Sequence, residues 1–397
     1  MRSNPTRPAN MVSDISKASI GIAGAGLLGR LLAWRLRRAG AEVSLFEAGS
    51  FDQPLAAAQT AAGMIAPVSE AVATEPYVYS LGNRSMQLWP SWLSEFEAET
   101  GICINYSRQG SLLVAHPQDL AELNQFERDI QRALITDTQH VPYQRIHSQG
   151  IRELESDLSD RLTEGLFLPD EAHIDNRQLL RELIAHCKQL GVQCFENTPA
   201  EVFAGEIKTA DKTHAFDLVL DCRGVGAQSQ WSQVRGVRGE VMSVQTREVS
   251  LSRPVRLMHP RYQLYVVPKA NNCFVIGATQ LESEDRSPVT LQSTLELGSA
   301  LYTLSPAFAE ANIIELKSNL RPALPDNGPQ VEINDGLLKI NGLFRHGYLL
   351  APVVVDHVIN WLNQGEAMPY DQLLGLAEAT LSNDLSSNPS IQEQHLA

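Results

Sequence analysis

The stretch that decides the fold lies near the start of the chain, where residues 19–47 read SIGIAGAGLLGRLLAWRLRRAGAEVSLFE. The short apolar run at 19–23 predicts a buried parallel strand. Leucine, alanine and tryptophan then recur at helical spacing as far as Gly40, a residue suited to ending a helix. Glu42–Phe46 predicts a second strand. Together these segments form a complete strand–turn–helix–strand unit.

The turn of this unit carries the spacing Gly24-x-Gly26-x-x-Gly29, and Glu47 follows the second strand. The first glycine permits the tight turn, the second lets the backbone approach a pyrophosphate, and the third lets the helix pack closely on the strand. Free N–H groups at the positive end of the helix dipole hold phosphates. A carboxylate about 20 residues on accepts hydrogen bonds from ribose. A tight turn without a ligand could use the same glycines, but the complete unit favours a dinucleotide site.

The composition is that of a globular protein with an acidic surface. The chain has 397 residues, of which 43% are hydrophobic and 20% charged, and 32 Lys and Arg against 46 Asp and Glu give a formal charge of −14. These values exclude wholesale disorder and a chain dominated by membrane spans. The negative charge disfavours nucleic acid and anionic lipid as partners. A small anionic substrate in a locally positive pocket remains compatible with it.

Cysteine usage and the chain ends predict a cytoplasmic protein. The five cysteines are odd in number and form no C-x-x-C pair, so a reducing compartment fits best. No H-E-x-x-H or similar spacing implies a metal. Residues 1–17 lack the apolar run of a signal peptide, and no stretch reaches the roughly 20 apolar residues of a membrane span. We expect flexible termini at 1–17 and 377–397.

Periodicity predicts the remaining elements. Helices are predicted over 81–100 with Gly101 as a cap, 118–134, 176–190 between Asp175 and Gly191, 293–304, and 353–362 opened by Pro352. Strands are predicted over 106–115, 216–221, 239–244, 264–268, 273–278 and 337–341. Residues 169–175 are expected to form a loop. We therefore predict an α/β fold in which a nucleotide-binding domain from 18–75, 150–228 and 321–376 alternates with a sheet domain from 76–149 and 229–320.

Several further motifs follow the glycine turn: QTAAGM at 59–64, YVVP at 265–268, LRP at 320–322 and GLFRHGY at 342–348. In this order the motifs resemble the D-amino-acid oxidase family of FAD proteins, and within it the glycine oxidases of the thiamine pathway. The resemblance spans about 19–363. It implies a Rossmann-type, glutathione-reductase-like FAD-binding domain, plus a substrate domain with a mixed or antiparallel β-sheet.

The resemblance also implies which residues hold the FAD. They are Gly24, Ala25, Gly26, Leu27, Leu28, Gly29, Glu47, Ala48, Thr60, Ala62, Gly63, Met64, Val202, Gly224, Gly342, Phe344, Arg345, His346, Gly347, Tyr348 and Leu349. The FAD is expected to be non-covalent, because no cysteine follows Cys273. One departure is the run PLAAA at 54–58, where the family often has a basic or hydroxyl residue; contacts there must come from the backbone or from Gln59 and Thr60.

Three residues are predicted to serve the substrate. The resemblance implies that Arg321 is the carboxylate ligand, a role that suits a guanidinium because it binds a carboxylate through two parallel hydrogen bonds. The resemblance likewise implies that the Tyr265 hydroxyl assists it and that Arg345 provides a second positive contact. Surface ion pairs for the arginines, and a core position for the tyrosine, are the alternatives. We expect His346 to be a flavin-contacting or structural histidine and not a base, because nearby backbone N–H groups can stabilise negative charge on the flavin.

The predicted function is oxidation of a small amino acid or secondary amine, glycine-like or sarcosine-like, to its imine by hydride transfer from Cα to flavin N5. The electrons then pass to O₂ or another acceptor. One alternative is a dehydrogenase of another anionic substrate, such as a hydroxy acid or glycerol phosphate. Another is a flavoprotein that acts in a modification or assembly step without amine turnover.

Overall fold

A computed structural model describes residues 14–53, 55–134, 142–260, 264–363 and 367–376. Most of the predicted flexible termini, 1–13 and 377–397, lie outside these ranges. Among the described residues, Ile15–Lys17 forms a short 3₁₀ helix with Asp14 as its N-cap. No helix in the described part of the chain combines the length and apolarity that crossing a membrane requires.

The predicted strand–helix–strand unit lies in the middle of a six-stranded sheet. Its strands, in spatial order, are Gln330–Asn334, Leu337–Asn341, Leu218–Asp221, Ser19–Ala23, Glu42–Phe46 and Gln193–Phe195. All neighbours are parallel except the first pair, which is antiparallel. Near-complete burial of the central strand explains its continuous apolar sequence.

Helices cover one face of this sheet. Leu27–Arg38 packs against both Asn176–Gln189 and Gly347–Leu362, and the last of these also packs on Pro76–Thr100. An antiparallel three-stranded sheet packs apolar side chains against the six-stranded sheet; its strands are Glu201–Phe203, Glu206–Lys208 and Thr213–Ala215. The largest apolar core forms among the helices and the strands that they cover.

The second large sheet is mixed and has eight strands. Its order is Asn312–Ala323, Arg235–Gln245, Cys273–Gly277, Leu264–Lys269, Val255–Met258, Ser111–Ala115, Glu164–Leu168 and Gln144–His147. Leu291–Leu304 and Leu120–Leu134 pack on it and complete two further cores. The other short helices are Ala57–Thr60, Pro67–Ala71 and Ser148–Leu154. The remaining 3₁₀ turns are Pro117–Asp119, Gly224–Ala227, Ala270–Asn272 and Pro306–Glu310.

A small sheet joins the segment after the glycine turn to the rest of the molecule. Ala172–Ile174 is its middle strand and pairs antiparallel with Met64–Ile65 and with Tyr106–Ser107. The loop predicted over 169–175 therefore contains a strand. The strand predicted over 106–115 is two strands in different sheets, because residues 108–110 separate Tyr106–Ser107 from Ser111–Ala115.

The last helix begins earlier than predicted, at Gly347, and Pro352 lies inside it. Proline lacks the N–H that the Tyr348 carbonyl would accept in a regular helix. The indole Nε1–H of Trp89 donates to that carbonyl instead, at 2.8 Å. A tertiary hydrogen bond thus replaces the missing helical one, which sequence periodicity does not reveal.

Segment 150–228 contributes to both large sheets. Glu164–Leu168 pairs with Ser111–Ala115 in the eight-stranded sheet, although we predict its segment for the nucleotide domain. Leu218–Asp221, from the same segment, lies in the six-stranded sheet. The exact domain boundaries stay a prediction.

Candidate active site

A cavity of about 850 Å³ is lined by residues from both large sheets and from the helix ends near them. It brings together most of the predicted site residues: Gly24, Gly26, Leu27, Leu28, Glu47, Ala48, Thr60, Ala62, Gly63, Met64, Gly224, Tyr265, Arg321, Phe344, Arg345, His346, Gly347, Tyr348 and Leu349. Four predicted cofactor residues, Ala25, Gly29, Val202 and Gly342, do not line it.

The glycine turn has the shape that the sequence predicts. Gly24 has a φ of +95°, and a Cβ there would lie 2.5 Å from the Cys222 carbonyl oxygen. A Cβ on Gly29 would overlap the Gly24 carbonyl oxygen. Gly29 therefore shapes the turn from behind without lining the cavity, in agreement with its predicted packing role.

Glu47 is buried at the end of its strand and lines the cavity. One carboxylate oxygen accepts a hydrogen bond from the Ala25 N–H at 2.8 Å, and the other accepts one from the Gly49 N–H at 3.1 Å. Ala25 thus contributes through its backbone, by orienting Glu47. This orientation holds an acceptor at the position where the nucleotide-binding pattern requires one.

Two helix N-termini contribute to the cavity lining. Gly26, which has no side chain, is the N-cap of Leu27–Arg38. His346 is the N-cap of Gly347–Leu362, and its side chain makes no capping hydrogen bond. At each N-terminus, free N–H groups and the positive end of the helix dipole lie at the cavity lining. Gly342 shapes the turn before the second helix, with a φ of +82°.

Val202 lies away from the cavity because strand alternation turns its side chain into the core beside Phe46 and Ile207. Its N–H donates to Gln230 Oε1 at 3.1 Å, and its carbonyl accepts from Gln230 Nε2 at 2.7 Å. Ala200, two residues earlier, lines the cavity instead. The structure therefore brings Ala200, and not Val202, to this wall.

Arg321 stands in the cavity wall without a carboxylate partner among the described residues. Both terminal nitrogens donate to the Thr279 carbonyl oxygen at 3.2 Å. Burial lowers the pKa of this guanidinium. Gly239 gives it room, because a Cβ there would lie 2.5 Å from the guanidinium carbon. A cation held only by carbonyl oxygens in a cavity wall suits an anionic ligand.

Tyr265 lies on a neighbouring part of the same sheet and also lines the cavity. Burial raises the pKa of its hydroxyl, although the charges of Arg321, Arg256 and Arg345 oppose that rise. The phenol is therefore protonated at neutral pH and available as a hydrogen-bond donor.

Glu70 is a site residue that our sequence analysis did not identify. It lies on Pro67–Ala71, lines the cavity, and accepts from Arg345 Nε at 2.7 Å and from Arg256 Nη2 at 3.0 Å. His346 Nδ1 lies 3.2 Å from the same carboxylate. The two guanidinium groups and the imidazole hold the pKa of Glu70 well below its ordinary value, against the effect of burial. The sequence does contain a signal for this residue, because Glu70 is the only charged residue in the segment 56–74.

Glu70 distinguishes the two predicted substrate arginines. The alternative interpretation of Arg345 was a surface ion pair. Arg345 does form an ion pair, with Glu70, but the pair lines the cavity and does not lie on the open surface. Arg256, which we did not identify, lies opposite Tyr265 in the paired strands. Arg321 is therefore the least compensated of the three cations.

His346 is buried in the cavity lining, and its Nε2 has no hydrogen-bond partner among the described residues. The described part of the chain holds no cluster of His, Cys, Asp and Glu able to bind a metal ion.

The cavity fits FAD in three respects. A glycine turn without side chains adjoins a helix N-terminus, an oriented carboxylate follows the second strand, and a second helix N-terminus contributes to the same lining. These groups suit, in turn, a pyrophosphate, a ribose and an electron-rich ring system.

Comparison with known proteins agrees with this arrangement. The model of the family DAO, FAD dependent oxidoreductase, matches residues 19–361. The chain belongs to this family of FAD-dependent oxidoreductases.

Three similar proteins are matched over nearly their whole length. It is 38% identical over 347 residues to ThiO of Rhizobium etli, an oxidoreductase assigned to thiamine biosynthesis, covering 87% of this chain and 97% of the relative. The crystal structure of glycine oxidase from Geobacillus kaustophilus matches with a TM-score of 0.78 and 24% identity, covering 91% of this chain and 98% of that one. Iminodiacetate oxidase from Chelativorans matches with a TM-score of 0.76 and 23% identity, covering 89% and 98%.

The predicted family, fold class, FAD cofactor and oxidoreductase class are therefore confirmed. Glycine oxidase and iminodiacetate oxidase are the activities in the names of two of these similar proteins. The role of each individual site residue stays a prediction.

Proposed function

We propose that this protein oxidises a small amino acid, glycine or a close N-substituted relative such as sarcosine, to the corresponding imine. The observation that carries the proposal is Arg321, a cation in the wall of the FAD cavity whose hydrogen bonds within the described part of the chain go only to carbonyl oxygens. A substrate carboxylate would supply the missing anion. The activities named for the relatives, glycine oxidase and iminodiacetate oxidase, support a small amino-acid substrate.

In this proposal Arg321 and Tyr265 bind the carboxylate. The guanidinium offers parallel N–H groups, and the phenol, protonated because burial raises its pKa, donates a third hydrogen bond. Arg345 adds positive potential, but Glu70 compensates much of its charge. Anchoring at the carboxylate leaves the Cα and amine of a small substrate to be positioned by the rest of the cavity.

FAD, when bound, would supply the acceptor for a hydride equivalent from the substrate Cα. The amine must lose a proton as the C=N bond forms, and water then hydrolyses the imine to an oxo acid and an amine or ammonia. The described residues contribute binding and orientation, since neither a nucleophile nor a metal is needed for this chemistry. The final electron acceptor would be O₂ or another oxidant.

Anaerobic reduction of the flavin tests the proposal. Glycine or sarcosine is expected to bleach the flavin absorbance of the wild-type protein, whereas glycerol 3-phosphate is not. R321M should keep its FAD but lose bleaching at the same amine concentration, while R84M, which removes a half-exposed arginine paired with Asp356, should behave as wild type. Tight FAD binding with no reduction by any amine would contradict the proposed substrate class.

We also propose that the protein acts in the cytoplasm and does not bind nucleic acid. The free cysteines and the net charge of −14 support these proposals.

A further inference from the structure

Lys269 is a cationic residue next to the cavity that the proposed chemistry does not use. It ends Leu264–Lys269, where alternation places Tyr265, Val267 and Lys269 on the same face. Tyr265 lines the cavity and Val267 packs with Ala62. Lys269 does not line the cavity, but reaches the backbone that does.

The ammonium of Lys269 is held by two carbonyl oxygens. Its Nζ donates to the Ala62 oxygen and to the Ile174 oxygen, each at 2.7 Å. It forms no ion pair with a carboxylate of the described residues. Burial lowers its pKa to about 8, and the nearby charge of Asp175 offsets this only in part. At pH 7 the group is therefore mostly a cation whose charge no carboxylate neutralises directly.

Gly63 shows how close the Lys269 ammonium lies to the residues that line the cavity. Gly63 has a φ of +72°, and a Cβ there would overlap the Ile174 carbonyl oxygen and lie 3.2 Å from Lys269 Nζ. Ala62, Gly63 and Met64 themselves line the cavity. Residues 62–64 therefore form a wall of the cavity that also contacts the ammonium, through the Ala62 carbonyl.

We propose that Lys269 is a positioning residue that fixes residues 62–64 through the Ala62 carbonyl, and that its charge raises the reduction potential of FAD bound in front of this wall. Reduction adds electrons to the bound group, and a nearby cation that no carboxylate of the described residues pairs with favours that change. The inference rests on the FAD site of the proposed function and is independent of which amine is the substrate.

Two substitutions separate the mechanical and electrostatic roles. K269M removes both the charge and the donors, whereas K269Q removes the charge and keeps an N–H donor. K212M is the matched control, because it removes an exposed lysine from the turn before Thr213–Ala215 with the same change in net charge. The midpoint potential is measured at pH 7 by dye-equilibrated reduction, and the FAD dissociation constant by titration of the apoprotein.

Both K269M and K269Q should shift the oxidation equilibrium toward oxidised FAD by about tenfold, which for two electrons corresponds to about 30 mV. K269M should also bind FAD more weakly than K269Q, and K212M should match wild type in both measurements. A wild-type potential in FAD-loaded K269Q would overturn the electrostatic role, as would an equal shift in K212M. Failure of the wild-type protein to bind FAD would instead overturn the site itself.

Discussion

Single residues decide which cation of the cavity is open to a ligand. Arg345 and Arg256 share the carboxylate of Glu70, whereas the guanidinium of Arg321 has only carbonyl acceptors among the residues that the structure describes. Three arginines of the same formal charge therefore differ in what they can bind. A neutralised guanidinium orients its neighbours, and an uncompensated one recruits an anion.

Replacement of Glu70 tests this distinction. E70Q leaves two guanidinium groups and His346 around a neutral amide, and because the native contacts are largely buried we expect the free energy of unfolding to fall by about 3 kcal/mol. E95Q is the matched control, since Glu95 also pairs with two arginines, Arg35 and Arg38, but near the surface. There the expected loss is below about 1 kcal/mol. Equal losses in chemical denaturation would show that the Glu70 cluster is not energetically special.

At the scale of elements, the local sequence was sufficient to predict features that depend on a single strand or helix. Glu42–Phe46 and Leu337–Asn341 have the predicted bounds, because their apolar runs end at turn residues. Asn176–Gln189 begins after the predicted Asp175 cap. The prediction for Pro352 was wrong because the compensating donor, Trp89, comes from a helix far away in sequence.

The Trp89–Tyr348 hydrogen bond should couple Trp89 to Pro352 energetically. W89F leaves the Tyr348 carbonyl without its donor and should lower the free energy of unfolding by about 1–3 kcal/mol. In P352A the new N–H can satisfy that carbonyl, so the double variant should lose about 1 kcal/mol less than the sum of the single variants.

W92F is the control for this double-mutant cycle. Trp92 is buried in the same helix as Trp89 but packs edge-on against Trp34, so its effect should add to that of P352A. If the effects of W89F and P352A were also additive, the indole of Trp89 would not compensate for the proline at position 352.

At the scale of the whole molecule, the site depends on contacts between distant segments. Sequence motifs indicated Gly24, Tyr265 and Arg321 because each belongs to a pattern that can be recognised locally. Glu70 was missed because its partners Arg256 and Arg345 are 186 and 275 residues away. Such pairings are set by the assembly of the sheets, and a single sequence contains no periodicity that reports them.

Stability of the whole fold should depend on pH through His173. This histidine lies in Ala172–Ile174 opposite Met64, and burial lowers its pKa from 6.5 to about 4. Between these pH values the unfolded chain binds more protons, so the free energy of unfolding should fall as the pH is lowered from 6.5 to 4, by up to about 3 kcal/mol. H173Q should lose this part of the dependence when denaturation midpoints are compared at pH 7, 5.5 and 4.5. Parallel wild-type and variant curves would contradict the assignment.

The central claim is that Arg321 binds the carboxylate of an amino-acid substrate in front of FAD. The most direct measurement is anaerobic flavin reduction by glycine and by methylamine, which lacks the carboxylate, in wild type and R321M. We predict that wild type prefers glycine by about 10-fold to 100-fold in the concentration needed for half-maximal reduction, and that R321M loses most of this preference while retaining FAD. An unchanged preference in FAD-loaded R321M would contradict the account.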